Sequence, residues 1–257
     1  MKFYKLQGAG NDFIFFTDVF DPQEDKVVFL CDRHFGIGAD GLIIITRGFA
    51  SYDFNIRYFN SDGSEASFCA NGARCAVLLA HKLGFFKGRE CRFKAGDGFH
   101  TASLGVDGYV ELQMKEPDGY REGLVFKGVP GSYYHLDTGV DHAVAFFDDI
   151  DSLDVDTIGS LVRYQKKFPN GTNVNFVQKN SDGTFNIRTY ERGVEAETMA
   201  CGTGITAAGY LDMMLTGDFS ERTFTTVKDI KLKVFMRDGK LRLSGPAEIV
   251  FEGDIDI

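Results

Sequence analysis

Residues 54–73 read FNIRYFNSDGSEASFCANGA, and residues 185–205 read FNIRTYERGVEAETMACGTGI. Both stretches open on Phe-Asn-Ile-Arg. Both close on a cysteine followed by a small residue, one variable residue and glycine. Cys69 and Cys201 therefore occupy equivalent places in two halves of one chain. The repeat reaches further: FGIGAD at 35–40 parallels FPNGTN at 168–173, and GND at 10–12 loosely parallels GVD at 139–141. A repeat of this length implies two pseudo-symmetric lobes and not a solenoid, which needs shorter and more numerous units.

Working outward, the segments 52–60, 109–114, 184–191, 231–236 and 241–244 are rich in aromatic and branched residues, with partial alternation, and read as strands. Asp-Gly pairs punctuate them at Asp62-Gly63, Asp107-Gly108, Asp182-Gly183 and Asp238-Gly239, and both residues tolerate the positive φ of tight hairpin turns. Two apolar helices are predicted over 71–83 and 203–216, stopped by Gly84 and Gly217. Each is apolar around most of its circumference, so each is buried on several sides. The expected fold class is α+β: two pseudo-symmetric lobes, each a curved, mostly antiparallel sheet wrapped around a central helix, with the active site in the cleft between them. The first lobe is expected to take 1–116 with 246–257 and to carry Cys69. The second takes 117–245 and carries Cys201.

The chain has 257 residues, with 28 Lys plus Arg against 37 Asp plus Glu, a net charge of −9. No basic excess exists to neutralise phosphates, which argues against nucleic acid or an anionic membrane as partner. No apolar run approaches a membrane span. The opening MKFYKLQGAGNDF has no apolar core or small-residue cleavage site of the secretory kind. Five cysteines are an odd number, so a reducing cytoplasm is expected and a disulfide framework is not. No Cys-x-x-Cys pair occurs, Cys69 and Cys75 are too widely spaced for a zinc knuckle, and His142 has no His partner at ligand spacing; no metal is expected.

Chemistry follows from the two cysteines standing at helix starts. The first turn of a helix leaves backbone N–H groups unpaired and carries partial positive charge. That charge lowers a thiol's pKa, and the N–H groups cradle a carboxylate. Asn71 and Thr203 add polar groups, and Gly72, Gly202 and Gly204 are expected to let backbone approach a ligand. An amino-acid carboxylate held between two such starts would put its α-carbon between two sulfurs. One thiolate takes the α-proton and the opposite thiol returns one to the other face. Configuration inverts, and this scheme requires no cofactor. Taken alone, most of these residues read more plainly. Cys31, Cys75 and Cys91 read as buried small hydrophobes, His142 as a satisfied histidine, Glu191-Arg192 as a solvated pair, and Asn11, Asn60 and Asn173 as turn formers. The acidic stretch at 148–151 reads as a solvated turn. The duplicated context is what sets Cys69 and Cys201 apart.

Six motifs then stand in order: GAGNDF at 8–13, GIGADGL at 36–42, FNSDGSEASFCANGARC at 59–75, DTGVDH at 137–142, TNVNF at 172–176 and YERGVEAETMACGTG at 190–204. Over essentially its whole length the chain resembles the diaminopimelate epimerase family, the cofactor-independent epimerases of lysine and peptidoglycan precursor biosynthesis. The resemblance implies a fold of two lobes that close on substrate. It implies Cys69 and Cys201 as the acid–base pair, with His142 and Glu191 assisting. It implies Ala70, Asn71, Gly202 and Thr203 around the reacting carboxylate, and Asn11, Asn60, Asn173 and Arg192 holding the rest of the substrate. It also implies a small amino-acid substrate, a cytoplasmic location and a homodimer. Three positions depart from the family pattern: Ala70 stands where Gly is usual, Asp141 where Pro precedes the histidine, and Lys228-Asp229 near a usual Gly-Gly. Other readings are a racemase of another amino acid on the same scaffold, a thiol redox protein pairing Cys69 with Cys201, and a non-catalytic amino-acid binder.

Overall fold

The computed structural model describes residues 1–17, 20–105 and 108–256. They form two compact units, Met1–Leu112 with Gly245–Ile257, and Gln113–Ser244.

In the first unit, β1 (Lys2–Gly8) and β2 (Asn11–Phe16) make a hairpin whose turn residues Ala9 and Gly10 have φ of 55° and 83°. Two positive φ values define a primed turn, whose twist matches that of the strands. The turn delivers Asn11 as the first residue of β2. After α1 (Glu24–Cys31), β3 (Gly41–Arg47) runs parallel to β2, and β4 (Phe54–Asn60), the first Phe-Asn-Ile-Arg strand, lies antiparallel to β3. The short β5 (Glu65–Ala66) folds back on β4 and leads into α2 (Ala70–Lys82). Then β6 (Glu90–Ala95) joins β4 in parallel, and β7 (Gly98–Leu104) and β8 (Tyr109–Gln113) extend it as a meander. The sheet curls around α2, which packs on β1, β2, β3, β4 and β7. Ten of the 13 residues of α2 are buried, as its all-round apolar sequence requires.

The second unit repeats this plan. β9 (Asp118–Leu124), β10 (Tyr133–Asp137) and β11 (Asp141–Phe146) are antiparallel neighbours. After α3 (Val155–Arg163), β12 (Asn173–Lys179) runs parallel to β11 and β13 (Phe185–Glu191), the second Phe-Asn-Ile-Arg strand, lies antiparallel to it. β14 (Ala196–Thr198) folds back and leads into α4 (Gly202–Thr216), which packs on β11, β12 and, further along, β16 (Lys231–Arg237). β15 (Arg222–Thr225) joins β13 in parallel, and β17 (Lys240–Pro246) follows β16 in a hairpin. The last strand, β18 (Glu248–Asp254), belongs to the first unit and pairs antiparallel with β1.

The duplication is visible in side chains as well as topology. Phe54 stands opposite Phe93, rings stacked at 5.0 Å and 5°, and Phe185 stands opposite Phe224 at 5.0 Å and 23°. The arginine of each Phe-Asn-Ile-Arg strand clasps the returning strand through a two-point carboxylate bond. Arg57 reaches Glu65 at 2.9 Å twice, and Arg188 reaches Glu197 at 2.7 Å twice.

Both central helices begin one residue earlier than predicted. The carbonyls of Cys69 and Cys201 already accept the first helical bonds, from the N–H groups of Ala73 at 2.8 Å and Ile205 at 2.9 Å, which makes each cysteine an N-cap. Gly84 (φ 69°) ends α2 in a Schellman motif, with Phe85 N–H on Ala80 O and Gly84 N–H on His81 O. Gly217 (φ 69°) ends α4. Of the Asp-Gly pairs, Asp238-Gly239 makes the tight hairpin, with both φ positive. Gly63 and Gly183 close longer connections, and Asp107 lies outside the described residues. Where Gly-Gly is usual in the resembled family, Lys228 and Asp229 hold φ of 66° and 60°, left-handed backbone that a Cβ disfavours. No described helix is long and apolar enough to cross a membrane.

Candidate functional site

Some of the candidate residues meet at the start of a central helix: Cys69, Asn11 and Asn71 at α2, and Cys201, Thr203 and His142 at α4. In the first unit Cys69, half-buried, sits on the N-cap of α2 in extended backbone. Its Sγ lies 3.9 Å from Asn11 Oδ1, and Asn71 Nδ2 approaches the same oxygen at 3.5 Å. The amide of Asn11 is oriented from behind: its Nδ2 donates to Asp40 Oδ2 at 2.6 Å. Asp40 is fixed in turn by Arg33 Nη2 at 2.7 Å and the Asp12 backbone N–H at 3.1 Å. Asp12 takes Arg33 at 2.8 Å and the buried Lys5 at 2.7 Å. Burial raises the Asp12 pKa, but bonds from Arg33 and Lys5 outweigh it and hold the carboxyl well below the usual range. Asn60 ends β4 opposite Gly41, at the same end of the sheet as Asn11. Its amide is engaged within its own turn, donating to Ser64 Oγ at 3.0 Å.

Beneath Cys69 lies Arg74, fully buried. Its guanidinium donates to Asn71 Oδ1 at 2.8 Å, Pro246 O at 3.3 Å and Ala70 O at 3.4 Å, with no carboxylate partner among the described residues. Burial lowers its pKa to about 10, and it remains cationic near neutrality. A cation at the first turn of α2 adds to the helix's own positive end, and both favour thiolate at Cys69.

In the second unit Cys201, buried, caps α4, and its Sγ stands 3.4 Å from Thr203 Oγ1. Thr138 Oγ1 donates to Thr203 O at 3.4 Å. Glu191 ends β13 and accepts from Thr198 Oγ1 at 2.8 Å. Asn173 ties two strand ends together, accepting the Arg192 N–H at 2.8 Å and donating to Asp141 O at 3.4 Å. Arg192 also bonds Asn170 O at 3.2 Å. His142 is fully buried on β11, with Nδ1 3.1 Å from Asn175 Nδ2. Burial, helped by the charges of Arg192 and His135, pushes its pKa down to about 3, so it is neutral at physiological pH. The extra acid before it, Asp141, does not act on it directly: its carboxylate is taken by His135 Nε2 at 2.6 Å.

The structure corrects the expected use of two glycines. A Cβ on Gly72 would stand 2.6 Å from Ile43 Cδ1, and one on Gly204 would collide with Asn175 and crowd His142. Their missing side chains let each helix sit close on its own sheet. Burial raises the pKa of three other thiols, Cys31 and Cys91 to about 12 and Cys75 further, which keeps them protonated. The sequence reading missed Arg74, Asp40 and Asn175. Arg74 carried a usable signal, a charge in the middle of a helix whose other basic residues, His81 and Lys82, stand in its last turn. A surface concavity of about 290 Å³ lined by Phe146, Lys179, Asp212 and Leu215 contains none of the candidate residues. No cluster of metal-ligating side chains occurs among the described residues.

A family model described as diaminopimelate epimerase matches residues 3–118 and 134–243. A diaminopimelate epimerase of Flavobacterium psychrophilum is 41% identical over 266 residues, covering 99% of this chain and 100% of the relative. One of Chlorobaculum tepidum is 38% identical, covering 98% and 100%. Among solved structures, a phenazine biosynthesis protein of the PhzF family from Bacillus anthracis superposes with a TM-score of 0.74 at 15% identity, covering 100% of this chain and 99% of that one. At that identity the likeness speaks for the fold alone.

Proposed function

Because the chain belongs to the diaminopimelate epimerase family, we propose that it interconverts LL-2,6-diaminopimelate and meso-diaminopimelate by a two-base exchange between Cys69 and Cys201. One sulfur, as thiolate, takes the α-proton. The other, as thiol, delivers a proton to the opposite face, and the two have exchanged protonation states when the product leaves. The observation that supports this reading is the matched placement of both cysteines as N-caps of the two central helices. Each start offers backbone N–H groups and a helix-end positive potential to a carboxylate. The charge that moves onto that carboxylate as the α-carbon loses its proton meets dipoles already in place. Because the two thiols must hold opposite states, they titrate as a pair.

On this reading Ala70, Asn71, Gly202 and Thr203 face the reacting carboxylate. Asn11, Asn60, Asn173 and Arg192 read the remainder of a substrate with charged groups at both ends. Such a site rejects analogues that leave its polar groups unpaired. The chemistry draws on no cofactor, and it needs reduced thiols, which accords with a cytoplasmic setting. A homodimer is proposed from the family resemblance.

The test is incubation with LL-diaminopimelate in heavy water under reducing conditions without added cofactor. Deuterium should enter the α-position as the meso isomer appears. Failure of solvent hydrogen to enter that position would remove the proposal.

A further inference from the structure

We propose that Asn175 is a positioning residue that holds His142 with its single ring proton on Nε2, which makes His142 a hydrogen-bond donor in the reaction and not its base. The second half of this statement rests on the function proposed above; the first half does not.

The argument starts from the amide of Asn175, which is fully buried on β12. Its Nδ2 lies 3.2 Å from Ala143 O and 3.1 Å from His142 Nδ1. A backbone carbonyl can only accept, so the group facing Ala143 must be the NH2 end. Thr189, directly opposite on β13, donates its hydroxyl to Asn175 Oδ1 at 3.0 Å, which satisfies the amide's other end. The obligate acceptor Ala143 O thus sets the amide's orientation, and the Thr189 hydroxyl, able to donate, accommodates it. One Nδ2 hydrogen serves Ala143, and the other points at His142 Nδ1.

A ring nitrogen that faces a donor must present its lone pair. His142 Nδ1 is therefore unprotonated, and the neutral ring carries its hydrogen on Nε2. The charged form would place two donors against each other, and burial disfavours it as well. His142 Nε2 is itself buried and has no hydrogen-bond partner among the described residues. A buried donor without an acceptor is destabilising, and binding an acceptor there recovers what is lost. The ring borders the first turn of α4: a Cβ on Gly204 would stand 3.3 Å from His142 Cε1. The open donor and the Cys201 N-cap thus belong to one stretch of the second unit. An anionic oxygen or sulfur that gathers charge during proton exchange is the acceptor this N–H suits. A ring whose Nδ1 lone pair is occupied by Asn175, and whose Nε2 already bears a proton, has no site left to accept one.

The experiment is long-range proton–nitrogen NMR of the full chain labelled at histidine, with His142 assigned by its loss in His142→Gln. At neutral pH the expected pattern is a pyridine-like Nδ1 and a pyrrole-like Nε2. Asn175→Asp replaces the donor by an acceptor of the same shape. It should move the ring proton to Nδ1 or charge the ring, and lower kcat on the order of 10²-fold with a much smaller change in KM. A wild-type spectrum with Nδ1 protonated, or an Asn175→Asp spectrum identical to wild type, overturns the proposal. The wild-type spectrum decides the tautomer even if the variant does not fold. An inactive protein with the expected spectrum sinks the functional reading and leaves the tautomer standing. An active protein with Nδ1 protonated does the reverse.

Discussion

Arg74 Nη2 donates a 2.8 Å hydrogen bond to Asn71 Oδ1 from a guanidinium wholly enclosed in the first unit. Buried guanidinium groups are normally matched by carboxylates. Here carbonyl oxygens do the work, so the charge is not cancelled locally and acts on the thiol at the helix start.

Arg74→Met should therefore disfavour the Cys69 thiolate and move its reactivity to higher pH. The check is the pH dependence of Cys69 alkylation, mapped by mass spectrometry. Arg74→Lys, which keeps the charge, should leave the midpoint closer to wild type. An unmoved midpoint in a folded Arg74→Met protein would reduce Arg74 to packing.

Cys69→Ala and Cys201→Ala should each cut epimerisation by roughly 10³-fold or more, the usual scale for losing an acid or base from the reacting centre. Cys31→Ala and Cys91→Ala, which remove buried thiols raised far above neutrality, should leave turnover at the wild-type level. Near-normal turnover in either of the first pair would contradict the two-base scheme.

His142 ties stability to pH. Its folded pKa of about 3 lies below the ordinary value of 6.5. Between those values the unfolded chain binds a proton that the folded chain refuses. Stability must then fall as pH drops from about 6.5 toward 3, by up to about 5 kcal/mol across the window. Urea denaturation as a function of pH should show this slope, and His142→Gln should flatten it. Equal slopes in the two proteins would mean that other groups carry the acid sensitivity.

Lys228 and Asp229 hold left-handed backbone without being glycine. Relieving each Cβ should stabilise by about 1 kcal/mol per site, less the extra freedom glycine gives the unfolded chain. Thermal or urea unfolding of Lys228→Gly and Asp229→Gly measures the net, and a loss of stability in both would show that this turn is not strained.

What the sequence made legible was what repeats locally. The paired Phe-Asn-Ile-Arg strands, the cysteines at helix starts and the glycine stops are each readable within a dozen residues, because strand period, N-cap and C′ geometry are short-range. Arg74 was passed over because the helix around it reads as apolar, and only its enclosure reveals an unneutralised charge. Asn175 was passed over because its meaning comes from Thr189 across a strand pair and His142 on the neighbouring strand. Asp40 and Asn11 lie 29 residues apart in sequence and meet only through the parallel pairing of β2 and β3. The expected ligand clearance at Gly72 and Gly204 failed for a similar reason: a glycine says that something comes close, and not what.

Neither Cys69 nor Cys201 caps the helix it begins with a side-chain bond to the backbone N–H groups of the first turn. Serine or aspartate in those places would suit the helices better, by about 1 kcal/mol each. Selection for a sturdier protein alone would have drifted toward oxygen at both positions. Sulfur at both equivalent sites of the internal repeat leaves the fold short of its own optimum at two places, and a stability screen should recover Cys69→Ser and Cys201→Ser among proteins that are tougher and inert.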